Sequence, residues 1–413
     1  MSDLSKPSIA PLRWLTIIGI GEDGIAGLGD DAKRRISEAE IIFGGKRHLE
    51  LAASLINGRT ETWLSPIETS VEAIKALRGR GVTVLASGDP FFFGIGATLS
   101  RSIDPGEMVV LPAPSAFSLA ASRLGWPLQD VATVSLHGRP IDLIRPYLQP
   151  CARILALTSD DKTPREIAAL LTDNGFGKSI LFVLEAIGGP VEDITRHVAS
   201  EFSQKKVNPL NICAIEVEAS PDARILPLAS GLDDRLFEHD GQITKREIRA
   251  LTLSALAPRK GELLWDIGAG SGSISIEWML SDPAMRAIAI EADPERAARI
   301  RRNTSHFGVP GLTIIEGRAP DAFDGIMSPD AIFIGGGGSN PGVLDKAIAA
   351  LRPGGRLVVN AVTTEMEALL LRQHAVRGGG LVRIDIARAA PVGTMTGWRP
   401  AMPVTQWSWV KPQ

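Results

Sequence analysis

The sequence predicts an α/β protein in two halves: two α/β subdomains in the first, and a Rossmann-like, doubly wound, mostly parallel sheet in the second. Three observations carry this. At 413 residues the chain exceeds what one hydrophobic core usually supports, so two or three domains are expected. Its 42 glycines suggest many turns of the kind that join strands to helices. Beyond residue 240, short apolar runs and helix-compatible runs alternate regularly, as in a parallel sheet with crossover helices.

In the first half, residues 14–20 (W-L-T-I-I-G-I) read as a buried strand ending in the glycine turn Gly19-Ile20-Gly21-Glu22-Asp23-Gly24. A helix over 30–39 follows, with acids first and basic residues one turn later, as its dipole favours. A strand at 41–43 leads to Gly44-Gly45-Lys46-Arg47-His48. The strand at 82–86 runs into S-G-D-P-F-F-F-G, putting Ser87, Asp89 and Pro90 at its carboxyl end, the edge where open α/β sheets bind ligands. An Asp-Pro turn beside core phenylalanines is the competing reading. A strand at 107–111 closes into P-A-P-S-A-F, and a helix from about Ser115 turns Phe117, Leu119 and Ala120 inward. Further strands at 131–136, 154–158, 179–184 and 212–218, with a Thr163-capped helix over 163–172, describe a second subdomain with a mixed sheet.

Residues 219–241, rich in proline, glycine and acids, read as a junction, so the expected domains are 1–220 and 241–413 with a linker at 221–240. A helix over 244–256 then begins with a Thr244–Glu247 capping box and buries Ile248, Leu251 and Ala255. The most informative stretch follows, L-L-W-D-I-G-A-G-S-G-S-I-S-I-E from Leu263 to Glu277. Strand, tight turn and helix start succeed one another, with Gly268, Gly270 and Gly272 at every second position. A second strand ends at Glu291, whose carboxylate can accept both hydroxyls of a ribose. The G-x-G-x-G spacing differs from the dinucleotide fingerprint, so the pocket suits S-adenosyl-L-methionine better than a pyrophosphate. Helices from 273, 294 and 341 and strands at 312–316, 331–334 and 356–360 complete the alternation. The last loop, Gly335 to Gly338, lacks the acid, paired prolines and aromatic residue that hold a flipped base in amine methylases. It leaves an open floor for a large planar substrate, or serves only as a structural loop.

Composition narrows the classes further. The chain is 44% hydrophobic and 22% charged, with a net charge of -3 and no block of like charge, which argues against a nucleic-acid partner. The start, M-S-D-L-S-K-P, has no apolar core, and no run approaches the ~18 apolar residues of a membrane span. A cytoplasmic protein with no membrane partner is expected. Its two cysteines, Cys151 and Cys213, lie in or beside apolar runs and suggest buried thiols, with no disulfide and no metal site.

On G-I-G-E-D-G, S-G-D-P-F-F, P-A-P-S-A-F, S-L-H-G-R (135–139) and E-A-I-G-G-P (185–190), residues 12–218 resemble the tetrapyrrole methylase family in its corrin-pathway branch. The resemblance implies two α/β subdomains and S-adenosyl-L-methionine in the cleft between them, along Gly19, Gly21, Ser87, Asp89, Pro90, Ser115 and Ala116. Glu22 and Asp23 stand where the family commonly has proline and glycine. Residues 240–410 resemble the decarboxylating precorrin methyltransferases, on T-K-R-E from Thr244, D-I-G-A-G-S-G-S, Glu291, G-R-A-P from Gly317 and F-I-G-G-G-G. This implies cofactor contacts at Thr244, Gly268, Ala269, Gly270, Ser271, Gly272, Glu291 and Ala319. Arg318 stands where an acid is often found, so backbone groups would have to hold the adenine amine.

Together the resemblances imply a bifunctional C-methyltransferase of cobalamin synthesis with one S-adenosyl-L-methionine per domain. It would methylate meso carbons 5 and 15 of a tetrapyrrole and decarboxylate its ring C acetate. Arg47, His48, His137, Arg139, Lys245, Arg246, Gly336 and Arg399 are the candidates for holding this polycarboxylate, and a homo-oligomer is expected. The alternatives are an RNA methyltransferase, which the C-terminal sheet alone would permit, and an N-terminal half that is only a scaffold.

Overall fold

In the structure, a computed structural model that describes residues 13–413, each apolar run of the first half becomes a strand buried to the degree that its sequence is apolar. Residues 1–12, where the leader-free start was read, lie outside the described residues. The chain divides into two units, the residues up to Ile141 with Gln149–Arg224, and Asp142–Leu148 with Ile225–Gln413.

The first unit holds two sheets. The parallel one has the order β3-β2-β4-β1-β5, from β1 (Leu15–Ile20), β2 (Ile41–Gly44), β3 (Arg59–Thr62), β4 (Val82–Ser87) and β5 (Met108–Leu111). The mixed one has the order β6-β7-β10-β8-β9, from β6 (Val131–Ser135), β7 (Arg153–Leu157), β8 (Ile180–Glu185), β9 (Asp193–Val198) and β10 (Asn211–Glu216). Only β6 and β7 pair in parallel there. Strands β3 and β9 are additions to the sequence reading: both are edge strands of mostly polar sequence, with little burial. Helix Thr163–Asp173 has its proline in the first turn, but Thr163 does not cap it. Asp160 does, with Oδ1 accepting from the backbone N–H groups of Lys162 and Thr163 and from the Thr163 hydroxyl. Cys213 is buried on β10, whereas Cys151 is exposed, so only one of the two thiols is the buried group expected.

The second unit is a seven-stranded sheet of order β13-β12-β11-β14-β15-β19-β16. Its parallel part is β11 (Leu263–Ile267), β12 (Arg286–Glu291), β13 (Thr313–Glu316), β14 (Ala331–Ile334) and β15 (Arg356–Ala361). An antiparallel extension follows, with β16 (Gly380–Ile384), the hairpin β17 (Ala387–Val392) and β18 (Met395–Pro400), and β19 (Val404–Val410).

Besides the antiparallel extension, which the sequence reading did not include, two features of this unit differ from that reading. The segment 221–240 does not run free as a linker, for Leu226, Leu232 and Phe237 are buried in the core beneath helix Arg246–Leu256. That helix buries Ile248, Arg249, Thr252, Leu253 and Leu256, leaving Leu251 exposed, and no side chain caps it. Arg249 sets the rotation. Its Nε donates to Glu277 Oε1 at 2.5 Å and Nη1 to Asp234 Oδ1 at 3.1 Å, and the guanidinium also donates to the Thr244 and Leu232 carbonyls. Glu277, on helix Ser273–Leu280, completes the cluster by accepting from Gly231 N at 2.6 Å and Leu232 N at 3.0 Å.

Removing one partner of a buried ion pair strands the other charge, at a cost of about 3 to 5 kcal/mol. Glu277→Ala should therefore lower the stability of the second unit by that amount, read as faster hydrogen exchange of β11 amides. A loss under about 1 kcal/mol would show the cluster to be dispensable. A second test concerns Asp266 on β11, whose Oδ2 accepts from Ser275 N at 3.1 Å and Ser275 Oγ at 2.5 Å. Burial pushes its carboxyl up to about 6. The native state then keeps a proton that the unfolded state has lost between about pH 4 and 6, so stability falls as pH rises through that window. Asp266→Asn should remove this component, gaining roughly 2 to 3 kcal/mol over wild type at pH 7 relative to pH 4 in denaturant titrations.

Candidate active site

At the carboxyl ends of β11 and β14 the two strand ends meet main chain to main chain. A Cβ on Gly268 would lie 2.6 Å from the Gly336 carbonyl oxygen, and the φ of Gly268 is +71°. No other residue fits that turn without displacing the neighbouring loop. The turn is tied further by Gly268 N and Ala269 N donating to the Ile290 carbonyl at 3.0 and 3.2 Å. Glu291, buried at the end of β12, locks it with Oε2 accepting from Gly270 N at 2.8 Å and Oε1 from Asp293 N at 3.0 Å.

Around this turn lies a cavity of about 860 Å³. Of the residues expected at the cofactor, Thr244, Gly268, Ala269, Gly270, Glu291 and Ala319 line it, as do Lys245 and Gly336 among those expected at the substrate. Ser271 and Gly272 do not. The Ser271 carbonyl accepts from Asn303 Nδ2 at 2.9 Å, and a Cβ on Gly272 would meet Ile300 at 2.8 Å, so both support the turn from behind. Gly335 and Gly337 reach the wall, but Gly338 packs under Met366 and is not part of the open floor. Arg246, on the first helical turn, and Arg399, exposed on β18, lie off the wall. The cation facing the cavity from the hairpin is Arg388, directly across from Arg399 and ion-paired with Glu247. Sequence reasoning missed Arg388, Asn360, Met402 and Val404, which line the cavity from the antiparallel extension and the end of β15. The alternating V-T-Q-W-S-W-V run of β19 was the available signal.

The first unit repeats the strand-end contact at the ends of β1 and β4. A Cβ on Gly19 would sit 1.9 Å from the Gly88 carbonyl oxygen and 2.6 Å from Ala113 N. Beside this contact is a smaller cavity of about 240 Å³, lined by His48, Ser87, Ser115 and Ala116 together with Trp63 and the rings of Phe92, Phe93 and Phe117. Ser115 caps helix Ala116–Leu124, accepting from Ser118 N at 3.1 Å. Asp89 accepts from Phe91 N at 2.8 Å, fixing the aromatic loop in which Phe93 takes a φ of 59°. Gly19, Gly21, Asp89 and Pro90 shape the surrounding loops without lining this cavity. Arg47 forms an ion pair with Glu22 and donates to Ser87 Oγ at 3.4 Å. Burial, reinforced by the Arg47 charge, pushes His48 down to about 4, so it is neutral at physiological pH. His137, whose Nδ1 is 3.2 Å from the Thr158 carbonyl, and Arg139 are exposed and stand apart from this wall.

Comparison with known proteins follows the same division. Residues 15–203 match the tetrapyrrole (corrin/porphyrin) methylases, and residues 235–411 match the precorrin methyltransferase domain. A precorrin-6Y C(5,15)-methyltransferase (decarboxylating) from Sinorhizobium sp is 67% identical over 412 residues, covering 100% of both chains. A protein of the same name from Mycobacterium tuberculosis (strain CDC 1551 / Oshkosh) is 41% identical over 401 residues, covering 96% of this chain and 100% of its own. A cobalt-precorrin-6B C(15)-methyltransferase (decarboxylating) from Salmonella typhimurium is 34% identical over 179 residues, 42% of this chain and 92% of its own. Identity of this extent along the whole length shows that the chain belongs to the precorrin-6Y C(5,15)-methyltransferase (decarboxylating) family.

Proposed function

We propose that the chain converts precorrin-6Y to precorrin-8X with one S-adenosyl-L-methionine per half, the N-terminal half methylating carbon 5 and the C-terminal half methylating carbon 15 and releasing carbon dioxide. The observation that carries this is the full-length match at 67% identity to a precorrin-6Y C(5,15)-methyltransferase (decarboxylating). The C(15)-specific relative supports the division of labour, since 92% of its length is matched by 42% of this chain. The relatives give no support to an RNA methyltransferase. Among the described residues no helix is long and apolar enough to cross a membrane; the biosynthetic role of the relatives supports a cytoplasmic location.

The C-terminal cavity fits the methyl donor by its own chemistry. Glu291 has both carboxylate oxygens fixed by backbone N–H groups, leaving further lone pairs for a pair of ribose hydroxyls. The glycine turn brings main chain to the wall where a Cβ would obstruct. S-adenosyl-L-methionine supplies an electrophilic methyl group. The residues around it position the reactants: apolar Ile248, Ile267, Ile290 and Phe333 exclude water, and Lys245 and Arg388 offer cations to a polycarboxylate. The electron pair comes from the conjugated macrocycle, which also accepts the electrons left by decarboxylation. In the first unit, neutral His48 and the Ser87 and Ser115 hydroxyls offer hydrogen bonds without adding charge beside the sulfonium.

Glu291→Ala should weaken cofactor binding in the second unit by about 1 to 3 kcal/mol, and calorimetry on the full chain should then show one weakened and one unchanged site. Product mass and released carbon dioxide test the division of labour. Asp89→Ala, which frees the Phe91–Phe93 loop, should abolish methylation at carbon 5 and spare carbon 15. Gly336→Leu adds a Cβ whose only close neighbour is the Gly268 carbonyl oxygen at 3.8 Å, so the chain should fold with its cavity filled. It should suppress carbon dioxide release and methylation at carbon 15 while carbon 5 is still methylated. Loss of both methylations with normal carbon dioxide release would refute that assignment, and normal methylation of carbon 5 in Asp89→Ala would refute the assignment of Asp89 to the N-terminal cofactor site.

A further inference from the structure

The cavity in the second unit has two ends. Gly268, Glu291 and Ala319 stand at the ends of β11, β12 and β13, while the opposite wall is Asn360 and Val362 after β15, Ile384, Ile386, Met402 and Val404. That wall is apolar except for Asn360 and the hairpin cation Arg388. Asn360 is also the outermost member of a buried polar trio whose hydrogen bonds fix the direction of its amide.

Thr252 is fully buried. Its hydroxyl donates to the Ile248 carbonyl at 2.7 Å, so Thr252 Oγ1 can only accept from its other neighbours. Asn360 Nδ2 lies 2.9 Å and Gln406 Nε2 3.2 Å from it, and both must be the nitrogen side of their amides. Gln406 Nε2 spends its second hydrogen on Asn360 Oδ1 at 2.9 Å. Asn360 therefore cannot flip. Its oxygen is committed to Gln406 and one N–H to Thr252. Among the described residues no acceptor is paired with the second N–H, and the side chain lines the cavity. Core packing alone would be served by apolar residues at Thr252 and Gln406, because buried amides and hydroxyls cost free energy unless every partner is in place.

We infer that Asn360 is a substrate-orienting donor of this cavity, giving its free N–H to a carboxylate or carbonyl oxygen of the tetrapyrrole, with Thr252 and Gln406 as positioning residues. The inference rests on the tetrapyrrole reading above. It places the acceptor at the end of β15, across β14 from the glycine turn, so that the macrocycle lies over Gly336 between them.

The test uses the full-length enzyme with precorrin-6Y and S-adenosyl-L-methionine, following carbon dioxide and product mass. Asn360→Ala should lower kcat/KM for carbon dioxide release about 10- to 100-fold, the range for one hydrogen bond to a charged acceptor. Methylation at carbon 5 and cofactor affinity should not change. Asn360→Asp keeps the shape but turns an acceptor toward the substrate oxygen, so its loss should exceed that of Asn360→Ala. Thr252→Val should give a smaller loss that adds nothing on top of Asn360→Ala. An Asn360→Asp enzyme within twofold of wild type would overturn the inference, as would losses matched by equally weakened cofactor binding. The wild-type enzyme in the same assay separates the two levels: if it releases no carbon dioxide and adds no second methyl group, the tetrapyrrole reading fails and this inference with it.

Discussion

Main chain against main chain at the ends of adjacent parallel strands is the constraint on which both units depend. In the first unit Gly19 meets Gly88, and in the second Gly268 meets Gly336, with separations that leave no room for a Cβ at Gly19 or Gly268. Each contact joins two neighbouring strands of a parallel sheet, β1 with β4 and β11 with β14. In the second unit both glycines of the contact line the cavity, whereas in the first the contact lies beside a cavity walled by His48, serines and aromatic rings. At each pair of strand ends one local demand, for a residue without a Cβ, fixes how closely the neighbouring loops approach.

The elements beneath the second cavity are tied together by a set of charges placed where apolar residues would have sufficed for burial. Arg249 reaches Glu277, Asp234 and the carbonyls of Leu232 and Thr244 from one guanidinium, so the segment before the helix, the helix itself and helix Ser273–Leu280 move together. Thr244 and Lys245 line the cavity, and their backbone is held by that same guanidinium. Stability and site geometry are coupled here through a side chain that touches no ligand wall itself.

The glycine turns, the parallel strands and Glu291 were legible because each rests on local chemistry: apolar runs of strand length, positions that need glycine, an acid at a strand end. Less legible were features decided by tertiary partners. The helical face after Thr244 was read as Ile248, Leu251 and Ala255, but the buried face is set by Arg249, a residue that polarity alone assigns to solvent. Segment 221–240 has the composition of a linker, yet three of its apolar side chains find the core. Edge strands β3 and β9 carry almost no burial and so almost no pattern. Arg399 was named and Arg388 was not, because the hairpin that sets the two arginines opposite each other was not read from the sequence.

The two ends of the C-terminal cavity are built by different means, which bears on how one sheet comes to serve a particular substrate. The parallel strands β11, β12 and β14 supply the glycine turn and the buried acid Glu291 that ties it, both set at strand ends by backbone geometry. The antiparallel extension, with β19 inserted between β15 and β16, supplies side chains: Val404 at the start of β19, Met402 before it, Arg388 on the hairpin, and Gln406 behind Asn360. Asn360 stands on the seam between the two parts, at the end of the last parallel strand and hydrogen-bonded to the first antiparallel one. An exchange within the extension can therefore reshape that side of the cavity while the glycine turn, anchored by Glu291 at the end of β12 on the far side of β11, β14 and β15, keeps its form.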